Sequence, residues 1–356
     1  RLYLFGGTSN IGNLWTIDLE YTGSNYVFSS KAVISSSGST TTGRKRLIST
    51  SSTPPTIEGN ESSGGSSRPT IEISGNNWYF ENIKFVRNRG SGSSNYAIRV
   101  INEDDEGHHF HKCTFSSHGD SGGGVYGDLA CKIFFTECLF DAEGAGTFVG
   151  IHTATGGSDR DGGCFISGCY FKDGSRGIVA GASQTWNVYG NVFDDNGIGI
   201  YVDVSDRGQS VTVLNNVFYA CGDGIHVEHA NNDSGMVVAG NIFDSCTSYA
   251  LEMIGVGALV QSNVFYNNTS GVTNVDTSLM TGYANNVTTN PGLTDPAGGD
   301  FTLDGTGSAN ELGYPNAFAA EFGAVVGYRD AGAIQRQAGG GGGRVGGGMA
   351  SGGMQQ

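Results

Sequence analysis

Apolar residues along the chain come in short runs, and most runs end on one phrase: Asn or Cys, one further residue, then Phe. The phrase occurs as Cys113-Thr114-Phe115, Cys138-Leu139-Phe140, Cys169-Tyr170-Phe171, Asn191-Val192-Phe193, Asn216-Val217-Phe218, Asn241-Ile242-Phe243 and Asn263-Val264-Phe265. Asn82-Ile83-Lys84-Phe85 is a looser first copy, and Asn286-Val287-Thr288 a degenerate last one. From Phe85 the Phe residues follow at steps of 30, 25, 31, 22, 25, 25 and 22. Seven residues after Phe stands an aliphatic residue, usually behind Gly, as in Gly177-Ile178, Gly199-Ile200, Gly224-Ile225 and Gly271-Val272. Alternating segments such as Ile200-Tyr201-Val202-Asp203 and Ile225-His226-Val227-Glu228 start there. Alternation is the period of a strand, and no long window carries the stripe of an amphipathic helix. The pattern predicts an all-β solenoid whose rung is three short strands separated by turns, with 22 residues as the minimal rung. At the ~4.8 Å spacing of neighbouring strands, roughly ten rungs make a rod ~50 Å long.

The residue types suit that architecture. Asn at a sharp turn adopts the left-handed backbone region at low cost. Stacked on its copies, its amide extends a hydrogen-bond ladder, which predicts a column of Asn191, Asn216, Asn241 and Asn263 continued by Cys113, Cys138 and Cys169. The Phe column stacks inside as offset aromatics. A single rung cannot bury its apolar face; only the stack does.

The repeat divides the chain. Residues 1–75 are expected to be an N-terminal cap with irregular first rungs, in which Arg44-Lys45-Arg46 lies on a solvated loop. Regular rungs fill 76–288, a C-terminal cap 289–337, and a Gly-rich tail 338–356. The opening Arg1-Leu2-Tyr3-Leu4-Phe5 falls mid-pattern, as a processed or truncated start would. Composition agrees with an all-β chain: 60 Gly, 6 Pro, 15% charged and 37% hydrophobic residues. The formal charge of −15 argues against nucleic acid as a partner. No run of apolar residues is long enough to span a membrane.

The Asn-x-Phe…Gly-Ile phrase, from about Phe80 to Val287, resembles the right-handed parallel β-helix repeat proteins, the pectate-lyase-like superfamily that includes phage tailspikes. The resemblance implies the fold. It leaves activity open, since the family holds lyases, hydrolases, epimerases, adhesins and non-catalytic rods. The segment after Val287, with Asn290-Pro291-Gly292-Leu293 and Gly299-Asp300-Phe301, resembles the closing segment of bacterial surface and phage-associated β-helices.

Three groups of residues are candidates for chemistry. Seven Cys are expected to fill the interior as small hydrophobes, Cys221 and Cys246 stacking on adjacent rungs. His108, His109 and His111, beside Glu103-Asp104-Asp105-Glu106, invite a metal, but alternation sends His108 to the opposite face, so no metal is assigned and no cofactor is expected. The third group is the outer face of the strand that follows Gly. There Tyr201, Asp203, His226 and Glu228 point out, Glu252 follows one rung on, and His152 lies further along the same face. Catalytic β-helices of the resembled superfamily bind polysaccharide across this face, so these residues are glycan-binding candidates. Asp203, Glu228, His226 and Glu252 are catalytic candidates if there is turnover, since paired carboxylates cleave glycosidic bonds and His moves protons. A pectate-lyase-type site also needs an Arg or Lys, and the central rungs offer only Arg176 and Arg207, expected on loops. Polygalacturonase signatures are absent. The leading expectation is a structural or adhesive β-helix of an extracellular, cell-surface or virion assembly, self-associating through its tail. A polysaccharide lyase, a glycosidase or a glycan-binding adhesin is the alternative.

Overall fold

The computed structural model describes residues 16–19, 26–28, 32–34, 45–60, 70–88, 96–101, 107–117, 122–127, 132–144, 146–153, 163–181, 185–204, 210–229, 235–254, 257–270, 280–310, 312–313 and 331–333. Three long parallel sheets hold all the strands but Leu293–Asp295 and Asp300–Leu303, a separate antiparallel pair. Along them each strand pairs with the third strand after it, save Gly257–Gln261, which pairs with Met280–Ala284 two strands on, so the chain winds round one axis. Sheet 1 runs from Thr16–Asp18 to Met280–Ala284, sheet 2 from Tyr26–Phe28 to Val264–Tyr266, and sheet 3 from Ala32–Ile34 to Leu251–Ile254. This is the all-β parallel solenoid that the repeat predicts.

Alternation sets what faces inward. The Phe residues of the repeat stack face to face along sheet 2, with centroids 4.8 Å apart for Phe115–Phe140, 4.6 Å for Phe140–Phe171 and 4.7 Å for both Phe193–Phe218 and Phe218–Phe243. That spacing is the strand spacing, so in-register pairing delivers near-optimal offset stacking at every rung. A second column, Phe80, Phe110 and Phe135, lines sheet 1 and meets the first edge to face, with Phe110–Phe115 at 5.6 Å. The Gly before each aliphatic residue is required by this packing. A Cβ on Gly199 would lie 2.6 Å from the Gly224 carbonyl oxygen and 2.7 Å from the Phe218 ring.

The Asn column is a closed hydrogen-bond ladder at the corner between sheets 1 and 2. Asn216 Oδ1 accepts from the Asn191 backbone N–H at 2.8 Å and from Asn191 Nδ2 at 2.9 Å. Asn241 and Asn263 repeat this, and Asn286 ends it. Cys169 N–H donates to Asn191 Oδ1 at 2.8 Å, and Cys138 N–H to the Cys169 sulfur at 3.4 Å, so the thiols continue the column. Two expectations are corrected here. The left-handed residue is not the ladder Asn but the one before it: Lys112, Glu137, Gly168, Gly190, Asn215, Gly240 and Ser262 have φ between 53° and 66°. The ladder residue must keep its side chain directed inward along the column, so its neighbour takes the turn. In the first copy, Asn82 is therefore the turn residue (φ 56°), and Ile83 occupies the ladder place.

The sequence phrase also understates the solenoid at both ends. Within 1–75, Thr16–Asp18, Tyr26–Phe28 and Ala32–Ile34 pair in parallel with Lys45–Ile48, Thr56–Asn60 and Ile71–Ile73, so regular pairing precedes the first copy of the phrase. Leu47, Ile57 and Ile71 supply its apolar interior without Asn or Phe. Lys45 and Arg46 lie on a strand, not a loop, with Arg46 over the Tyr79 ring and 3.2 Å from Glu81. Beyond Val287, the described residues lie along the flank of the stack rather than across its end. Phe301, Ala309 and Ala331 pack on Val192, Val217, Ile242 and Val264, the outward residues of sheet 2. At the same positions earlier rungs carry Lys84 and Thr114, so the outward face turns apolar where the strap covers it. The tail 338–356 lies outside the described residues.

Candidate functional site

The outer face of sheet 3 gathers most of the candidate chemistry. Register aligns Glu72, Arg99, Tyr126, His152, Val179, Tyr201, His226 and Glu252 in one outward column, one residue per rung. A neighbouring column places Val149, Arg176, Ile198 and Asp223 beside it. Parallel in-register pairing is what turns a sequence period of 22–31 residues into side chains one strand apart.

Two aromatic groups stand on this face. In the first, Tyr126 meets His152 edge to face at 5.1 Å, and the buried Tyr96 hydroxyl hydrogen-bonds His152 Nδ1. Tyr96 reaches across because Gly123 lies under its ring, where a Cβ would be 2.2 Å from the ring carbons. Burial pushes His152 down to about 4, with the Arg176 charge acting in the same direction, so its imidazole is neutral at pH 7. In the second, Tyr201 stacks on His226 at 5.4 Å. The Arg176 guanidinium sits 4.2 Å from the Tyr201 ring centroid, a close cation–π contact. Arg176 therefore touches the Tyr201 group while its charge acts on His152 and Tyr96.

Next to it lie the carboxylates. His226 Nδ1 is 2.7 Å from Glu252 Oε2 and 3.3 Å from Asp223 Oδ2, and each of the three side chains is largely buried. The Asp223 carboxylate is held by the Tyr249 backbone N–H at 3.0 Å. A site with aromatic faces, one guanidinium, two carboxylates and imidazole can stack on a sugar ring and hydrogen-bond its hydroxyls.

The backbone places the expected residues together: Tyr201 pairs with His226 and Asp203 with Glu228 on successive rungs, and Glu252 follows His226. The side chains of Asp203 and Glu228 lie outside the described residues. His152 is on the same column, separated from Tyr201 by Val179. Arg176, expected on a loop, instead begins the strand Arg176–Ala180 and faces the site, while Arg207 lies outside the described residues. Sequence reasoning missed Asp223, Tyr96 and Tyr126. Asp223 stands one residue before the Gly of its own rung, the same place as Arg176 before Gly177, and that shared offset is the signal that could have found it.

The histidine group does not converge. His108 faces the interior and is 2% exposed, whereas His109 Nε2 and His111 Nδ1 both hydrogen-bond Thr136 Oγ1 on the outer face of sheet 1, at 2.8 and 2.9 Å. That face carries an unexpected aromatic stripe, Tyr79, His109, Phe134, Phe165 and Tyr189. Cys113, Cys138, Cys164, Cys169, Cys221 and Cys246 are buried, and burial raises Cys113, Cys138, Cys221 and Cys246 far from thiolate character, while Cys131 lies outside the described residues. Gly174, Asn196, Cys221, Cys246 and Asn268 form a second ladder three residues past Phe, with Asn196 Oδ1 accepting from Gly174 N–H and Asn268 Oδ1 from Cys246 N–H.

A three-sheet parallel coil wound round one axis defines a β-solenoid. Residues 96–270 match the family described as the right-handed β-helix region, in keeping with the parallel solenoid of the described residues. No curated protein matches the chain.

Proposed function

We propose that this chain is an extracellular, adhesive β-helix that binds polysaccharide along the outer face of sheet 3. The observation that carries the reading is Arg176 seated on Tyr201, which stacks on His226 beside Glu252, with His152 two and Tyr126 three rungs from Tyr201 on the same column. Aromatic rings one to three rungs apart, interleaved with charged hydrogen-bonding groups, suit a linear glycan laid parallel to the axis. The test is a panel of neutral and acidic polysaccharides in affinity electrophoresis. Tyr201→Ala and Arg176→Ala should each weaken binding at least tenfold, while Tyr79→Ala on sheet 1 leaves it unchanged. Absence of binding across the panel, or equal loss in all three variants, sinks the reading.

A catalytic reading is favoured by one contact, the 2.7 Å approach of His226 Nδ1 to Glu252, because imidazole paired with carboxylate is a ready acid–base couple. It predicts release of reducing ends or unsaturated products from the glycan that binds, lost in Glu252→Gln and in Glu228→Ala. Binding without turnover leaves the adhesive reading alone. Subunit assembly through the Gly-rich tail is tested separately, by electron microscopy and light scattering of the chain and of a version ending at Gln337. Filaments or defined oligomers from the intact chain alone make the tail the assembly element.

A further inference from the structure

We propose that Asp223, His226 and Glu252 bind one divalent transition-metal ion, with zinc the best fit. Asp223 Oδ2, His226 Nδ1 and Glu252 Oε2 all lie within 4.8 Å of one another. Two rungs build the site: Asp223 and His226 stand on the strand Asp223–His229, and Glu252 is the direct register partner of His226 on the strand Leu251–Ile254. Zinc bonds to N and O ligands at ~2.0–2.1 Å in a tetrahedron, which puts neighbouring ligand atoms about 3.3 Å apart. The Asp223–His226 separation is already 3.3 Å. The Glu252–His226 separation of 2.7 Å must open slightly, which rotation of the Glu252 carboxylate about its broad terminal torsion supplies.

Charge asks for the same ion. Two carboxylates converge on one imidazole nitrogen, and all three side chains are 13–15% exposed. A neutral imidazole leaves two negative charges in this enclosed place, an imidazolium leaves one, and a divalent cation leaves none. Bringing like charges together away from water is costly unless a cation lies between them. Arg176, a cation of the same face, is engaged one rung back on Tyr201.

Supporting contacts orient the ligands as metal sites require. The Tyr249 N–H holds Asp223 Oδ1 at 3.0 Å, so Oδ2 is the atom turned to the imidazole. Tyr201 stacks on the His226 ring and sets its plane. One imidazole with two carboxylates suits zinc or cobalt, whereas calcium takes six to eight oxygens. Three protein ligands leave the fourth position for water or for a hydroxyl of a bound ligand. The site shares residues with the proposed glycan face, yet the metal is tested by itself.

The experiment uses the whole chain, freed of metal by chelator, with zinc or cobalt as the only added ligand. Zinc uptake is read by competition with a colorimetric chelator, and cobalt by the visible bands of a tetrahedral ion. One equivalent per chain is expected, lost in His226→Ala, weakened at least tenfold in the isosteric Glu252→Gln, and unchanged in His109→Ala. Circular dichroism without metal identifies variants that still fold; should His226→Ala fail there, Glu252→Gln and Asp223→Asn decide. No stoichiometric uptake by the natural chain, or uptake untouched in folded variants of all three ligands, overturns the proposal. Zinc binding without glycan binding sinks only the glycan reading, and glycan binding without zinc sinks only this one.

Discussion

Asn216 shows how one side chain serves three rungs. Its Oδ1 accepts from Asn191, and its Nδ2 donates to the Val188 and Leu214 carbonyls and to Asn241 Oδ1. Removing a buried partner leaves each group without water or substitute, at about 1–3 kcal/mol per group. Asn216→Ala should therefore cost about 3–5 kcal/mol in chemical denaturation, and Asn216→Cys less, because sulfur already accepts a backbone N–H in the same column at Cys169. His152 gives a pH signature. Its value is about 4 in the folded chain against an ordinary 6.5, so the unfolded chain takes the proton first. The associated stability is complete above about pH 6.5 and is lost as pH falls toward 4, amounting to about 2–3 kcal/mol by pH 4.5. Burial raises Asp194 and Asp244, whose effect with pH has the opposite sign. Comparing the natural chain with His152→Asn in urea at pH 7.5 and 4.5 cancels these, and the natural chain should lose the larger amount.

Within a rung, packing rather than propensity decides the strand following Gly. Gly177, Gly199 and Gly224 stand against the Phe of the next rung and the carbonyl of the next Gly or Ala, and a methyl group at any of them would lie only 2.4–2.7 Å from both. None of the three has a positive φ, so the requirement is space alone. Gly199→Ala should destabilise by about 1–3 kcal/mol, as overpacking does, and thermal melting should show it as a lower midpoint with cooperativity kept. A neutral result would mean that the Phe218 ring can shift along its stack. This column is visible in sequence as the Gly before each aliphatic residue. The turn is not: the left-handed residue is Lys, Glu, Gly, Asn or Ser, a set with no shared signature, because the ladder beside it fixes the corner whatever stands there.

Across the molecule, strands separated by at least 22 residues pair with one another, so nearly every stabilising contact is non-local and folding should be slow for the chain's size. The strap adds a second packed layer on one flank. Phe301 is 3% exposed, between Tyr170 at 6.1 Å and Tyr219 at 5.8 Å. Phe301→Ala should free the apolar flank of Val192, Val217, Ile242 and Val264, seen as increased binding of a hydrophobic dye. Amides of the Asn ladder should keep their hydrogen-exchange protection, since solenoid stability is local to neighbouring rungs. Loss of ladder protection at the same time would make strap and solenoid one cooperative unit.

The sequence by itself determined the solenoid, its Phe stack and the Asn and Cys column, because each is a repeat whose period equals one turn of the coil and whose residue type recurs. It also determined which strand positions face outward, through alternation, and so brought Tyr201, His226 and Glu252 to one column. Only the tertiary structure decided the rest. Asp223 and Arg176 share an offset before Gly, but the same column also holds Val149 and Ile198, so their role appears only when register sets them beside His226 and Tyr201. The early rungs escaped the phrase because Leu47, Ile57 and Ile71 fill the interior without it. The strap's path along the flank follows from an apolar patch formed by four separate rungs, a surface that exists only once those rungs are stacked.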